Sequence, residues 1–111
     1  MAAKKSTVCV VLVTCGSRGE ARRIARQVVE RKLAACVNLF SSAVESVYRW
    51  KGKVESAREW LLILKTTRAR LPALENEIRR LHSYEVPEFI ALAIASGSRK
   101  YLAWLTDSVR G

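Results

Sequence analysis

Residues 48–55 read Tyr48-Arg49-Trp50-Lys51-Gly52-Lys53-Val54-Glu55. Tyr48 and Trp50 are two positions apart, so on a strand they share one face, while Arg49 and Lys51 take the other. Gly52 interrupts the run, and Val54 opens a second strand-like pattern. The stretch predicts a long strand, a tight turn at Lys51-Gly52-Lys53 and a returning strand.

Working outward, residues 8–14 are apolar or β-branched at nearly every position and read as a strand buried on both faces. A turn over residues 15–19 leads into a helix over about 20–33, whose Ala21, Ile24, Ala25, Val28, Val29 and Leu33 form one stripe. The second strand covers residues 35–50, with an irregularity expected near Ser41-Ser42, and the third covers 54–66. Thr67 reads as a helix N-cap, and Pro72 fits the first turn of the helix that follows. That helix carries Leu71, Leu74, Ile78 and Leu81 and ends near His82. A fourth strand over 88–95 and a short closing helix around Tyr101 and Trp104 complete the chain. The order β-α-β-β-α-β, then a small α, is the split arrangement of a ferredoxin-like α+β sandwich. Helices cover one face of such a sheet. Because the first, third and fourth strands are apolar on both faces, the other face needs a cover, which predicts a homo-oligomer.

With 111 residues, a single domain over 1–111 is the expectation. Half of the residues are apolar, which argues against disorder. Twenty Lys and Arg against ten Asp and Glu give a net charge of +10. An anionic partner would exploit that charge, but the basic residues are spread along the chain, which suits a solvated surface better than a nucleic-acid track. The three cysteines, Cys9, Cys15 and Cys36, are odd in number and have no C-x-x-C spacing. They form neither a disulfide framework nor a zinc ribbon, and a reducing cytoplasm suits them. Lys4 and Lys5 before residues 8–13 loosely mimic a secretion signal, but the apolar run is short and lacks an A-x-A site. No segment has the length to span a bilayer.

Several segments together resemble the CutA family, the divalent-cation tolerance proteins. They are Lys32-Leu33-Ala34-Ala35-Cys36-Val37-Asn38, Tyr48-Arg49-Trp50-Lys51-Gly52-Lys53, Leu64-Lys65-Thr66-Thr67, and His82-Ser83-Tyr84-Glu85-Val86-Pro87-Glu88. The resemblance runs over about residues 8–105. It implies a homotrimer similar in architecture to the PII signalling proteins, with the second strand reaching beyond its own sheet to a neighbour. It also implies a link to copper or another divalent cation. Two departures stand out. The family usually has H-P-Y where this chain has His82-Ser83-Tyr84, and residues 15–19 lack the family's acidic, proline-bearing character.

Imidazole, thiolate and carboxylate are ligands suited to copper or zinc. His82 is the only histidine, and Cys15 and Glu88, both near strand ends, are its expected partners, as the resemblance also suggests. Cys15 precedes a helix, where a thiolate is favoured, so it reads as the reactive thiol. A second set, Tyr48, Trp50, Lys65, Tyr84, Glu85 and Glu88, has the chemistry to line a cleft between subunits, or to serve as packing anchors there. No Ser-His-Asp pattern, Walker loop or G-x-G-x-x-G is present, which argues against an enzyme. Two function classes compete: a trimeric protein binding copper or a similar ion through His82, Cys15 and Glu88, and a PII-like signalling trimer taking a small anionic ligand at the cleft beside Lys65, Arg49 and Lys51. An RNA-binding module would need stacking aromatics on its central strands, where residues 8–14 have none and residues 54–66 only Trp60.

Overall fold

The computed structural model describes residues 7–111; Lys4 and Lys5 lie outside the described residues. The elements are β1 (Val8–Cys15), α1 (Arg18–Glu30), β2 (Cys36–Leu39), β3 (Val44–Trp50), β4 (Lys53–Thr67), a 3-10 turn (Arg68–Arg70), α2 (Leu71–Leu81), β5 (Ile90–Ala93) and α3 (Arg99–Ser108). All strand pairs are antiparallel, in the order β2-β4-β1-β5, with β3 also pairing β4. This is the ferredoxin-like α+β sandwich expected from the sequence, closed by a C-terminal helix.

The quoted stretch forms the hairpin. Trp50 pairs with Lys53, leaving Lys51 and Gly52 as a two-residue loop. Both loop residues have positive φ, 50° and 80°. That is the twist a two-residue hairpin demands, and Gly supplies the second position without steric cost.

β4 organises the sheet. Its first half pairs only with β3, while its second half lies between β1 and β2. The β3–β4 hairpin therefore projects from the body as a two-stranded arm. Val47 and Val54 on that arm are each 66% exposed. An isolated two-stranded ribbon is marginal in water, so such an arm calls for a covering surface.

One face of the sheet is packed. Val11, Val13 and Cys15 of β1 and Leu62 and Leu64 of β4 meet Ala21, Ile24 and Val28 of α1 and Leu74 and Ile78 of α2. The stripe read from the sequence of α1 is the one that is buried. On the other face the register aligns Val10 with Lys65 and Leu92, and Leu12 with Ile63 and Ile90. Ile90 and Leu92 are about half exposed. α3 covers only one end, where Leu105 and Val109 meet Val8 and Ala35.

Three sequence expectations shift in detail. The long second strand is two strands, β2 and β3, separated at residues 40–43 around the expected irregularity. Thr67 makes no capping bond, because the 3-10 turn stands between it and α2; Pro72 does sit in the first turn of α2. The last strand is confined to Ile90–Ala93, the residues in register with β1, although the Ile94 N–H still donates to the Val8 carbonyl at 3.0 Å.

Candidate functional site

Strand β1 ends at Cys15, and the chain turns at Gly16 into α1. Ser17 caps that helix, its hydroxyl accepting from the Glu20 N–H at 3.1 Å. The cap fixes Glu20 in the first turn and brings its carboxylate back over the end of β1. α2 ends at His82, whose N–H still donates to the Ile78 carbonyl. The imidazole then lies across the same strand end. Cys15 Sγ, a Glu20 carboxylate oxygen and a His82 ring nitrogen fall within 4.8 Å of one another, and all three residues are buried.

The ring's hydrogen bonds determine its tautomer. Nε2 lies 2.7 Å from the Thr14 carbonyl, which can only accept, so Nε2 carries the proton. Nδ1 accepts from the Tyr84 N–H at 3.0 Å and lies 3.9 Å from the nearer Glu20 oxygen. Glu20 is itself held by Ser83, whose N–H donates to Oε1 at 2.7 Å and whose hydroxyl donates to Oε2 at 3.1 Å. Proline at that position has no N–H to give. The departure from H-P-Y thus supplies two bonds to Glu20.

Burial, with the Glu20 and Glu59 carboxylates nearby, pushes the Cys15 thiol up from 9.0 to about 12. The expectation of a reactive thiolate is corrected: the helix N-terminus is outweighed by desolvation. Because the folded pKa is raised, the neutral thiol stabilises the fold fully below about pH 9, and this contribution is lost as pH rises toward 12. The unfolding free energy from urea titrations is expected to fall between about pH 9 and about pH 11, by up to ~1.4 kcal/mol per pH unit, and Cys15→Ala is expected to remove that part of the slope.

Glu88 is not in this group. It lies in the connection before β5 and borders a cavity of about 560 Å³ with Tyr48, Trp50, Glu59, Tyr84 and Glu85. Burial and the Glu59 carboxylate raise its pKa. The Tyr84 hydroxyl donates to Glu59 at 2.8 Å. The cavity lies between the β3–β4 arm and the segment after His82, within one chain. It therefore gathers most of the second set predicted from sequence. Lys65 is elsewhere: it bonds Asn38 on the bare sheet face. Arg49 and Lys51 are at the hairpin tip, Arg49 donating to the Gly52 carbonyl at 3.4 Å and Lys51 lying 5.8 Å over the Trp50 ring. The lining holds three carboxylates and no Lys or Arg, so its charge does not suit an anionic ligand.

Sequence reasoning missed Glu20 and Glu59. Glu20 had a signal, the Ser17-x-x-Glu20 spacing of a helix start directly after Cys15. Glu59 had none beyond being an isolated charge where the strand turns apolar.

Comparison with known proteins agrees with this geometry. Residues 9–108 match the family model described as CutA1 divalent ion tolerance protein. The divalent-cation tolerance protein CutA of Thermus thermophilus is 48% identical over 89% of this chain and 95% of its own length. The chloroplastic protein CutA of Arabidopsis thaliana is also 48% identical, over 91% of this chain, which spans about half (55%) of that longer protein. The solved Thermus thermophilus structure superposes with a TM-score of 0.90 at 46% identity, covering 93% of this chain and 99% of that one. The CutA1 structure from Oryza sativa gives 0.90 at 44% identity, covering 97% and 98%. On its sequence, its sheet order and these likenesses, the chain belongs to the CutA1 divalent ion tolerance family.

Proposed function

We propose that this chain serves divalent-cation tolerance by binding copper or a similar divalent ion through His82, Cys15 and Glu20. The observation that carries the reading is the buried trio within 4.8 Å, with Nε2–H already donating to a backbone carbonyl. Metal-binding histidines commonly donate their second N–H in this way, which orients the ring and directs the other lone pair at the ion. Here that lone pair is on Nδ1, the nitrogen facing Glu20. A mixed thiolate, imidazole and carboxylate set suits copper and zinc. Binding requires Nδ1 to release the Tyr84 N–H and Cys15 to lose its proton, so affinity should rise with pH by about tenfold per unit for each proton released. Glu88, the carboxylate expected from sequence, belongs in this reading to the neighbouring cavity.

The working form is proposed to be a homotrimer, similar to PII proteins in architecture. The half-exposed Ile90 and Leu92 and the projecting arm support an assembly that covers both. The reducing cytoplasm is the proposed compartment, since Cys9, Cys15 and Cys36 are all free thiols. Among the described residues no helix is long and apolar enough to cross a membrane. Relatives vary in location: the Arabidopsis protein is chloroplastic and the Archaeoglobus fulgidus structure is described as periplasmic.

The test is calorimetric titration with zinc(II) and copper(II) of wild type, His82→Ala and Cys15→Ser, with assembly mass measured on the same samples. A saturable site weakened at least tenfold in both variants, with mass unchanged, is expected. Equal binding in all three, or none in wild type, would make the trio structural.

A further inference from the structure

We infer that the cavity beside the metal trio is a binding site for a small organic cation of the alkylammonium class. The inference goes beyond the metal reading and does not rest on it. Glu59 carries the argument. It is more than nine-tenths buried, yet among the described residues it forms no ion pair, and its one hydrogen bond is from the neutral Tyr84 hydroxyl. A buried carboxylate so weakly compensated is costly. Glu85 and Glu88 border the same space, so carboxylates converge there in a chain whose net charge is +10.

The walls indicate which cation. Tyr48 and Trp50 project from one face of the β3–β4 arm, and Tyr84 closes the opposite side. Aromatic faces attract diffuse, weakly hydrated cations such as ammonium groups bearing alkyl carbon. A bare metal ion gains less from such walls, and about 560 Å³ is far more space than one ion fills. That volume lies in the range of small-molecule sites, where apolar walls and a few aimed polar groups are the usual arrangement. An alkylammonium would place its charge between Glu59 and Glu88 and its carbon against Tyr48 and Trp50.

The experiment titrates the intact protein with choline and with 1,4-diaminobutane, using inorganic phosphate as the opposite charge and zinc(II) as the competing ion. Wild type is expected to bind at least one amine saturably. Glu88→Gln and Tyr48→Leu should each weaken it tenfold or more, while Lys65→Ala, outside the cavity lining, binds it as wild type does. Lack of saturable amine binding would overturn the inference, as would binding that neither cavity variant alters. Tighter binding of phosphate would overturn it, and so would zinc binding that Glu88→Gln abolishes while neither amine binds. The metal reading stands or falls separately, on zinc binding in His82→Ala.

Discussion

Leu92→Glu is expected to yield a folded chain that no longer assembles. Leu92 is on the bare sheet face, aligned with Val10, and is 50% exposed in the single chain. Its neighbour on that face, Ile90, aligns with Leu12 and Ile63. In the proposed trimer these side chains meet their counterparts, and each copy would bring a carboxylate into the contact. An unpaired charge taken out of water costs several kcal/mol, and a trimer would bear that cost at three symmetric positions. Within one chain the same glutamate stays in water and costs little. Light scattering or analytical centrifugation should therefore report the monomer mass, with far-ultraviolet circular dichroism near that of wild type. A variant that keeps the wild-type mass would remove the bare face from the assembly.

Leu64→Ala is expected to cost about 3 kcal/mol of folding stability, within the range for leucine truncation in a packed core. Leu64 is fully buried in the second half of β4, between Val11 of β1 and Val37 of β2, and belongs to the cluster under α1 and α2. Val54→Ala, on the same strand but in the projecting arm, should cost well under half as much, since its side chain is 66% exposed in the single chain and only the proposed assembly would cover it. Urea unfolding of both variants at one protein concentration checks the contrast, because assembly makes midpoints concentration-dependent. Equal effects would mean that the arm is as tightly held as the sheet.

The parts of the fold legible in the sequence are those set by short-range pattern. The Tyr48 to Val54 alternation with Gly52 gave the hairpin, because strand period and positive φ are local properties. The stripe on α1 gave its buried face for the same reason. The 3-10 turn at Arg68–Arg70 was not legible. Thr67 looks like a cap, but it is the last residue of β4, aligned with Val8, and its side chain makes no capping bond to the turn that follows. The site was half legible. Strand ends identified Cys15, and the helix end identified His82. The carboxylate depends on how α1 folds back over β1, which a strand-end argument ignores. Lys65 stands apart from the rest of its set within one chain for a length reason. It lies twelve positions beyond Lys53, the partner of Trp50, which on a strand is roughly 40 Å. No single chain brings those two ends into one cleft.

The most direct test of the metal centre is the absorption spectrum of the cobalt(II)-loaded protein, with cobalt as a spectroscopic stand-in for zinc. Coordination by Cys15, Glu20 and His82 predicts an intense near-ultraviolet thiolate-to-metal band that appears stoichiometrically and is absent in Cys15→Ser. Cobalt that binds without that band, or that binds equally in Cys15→Ser, would contradict a site built on this thiol.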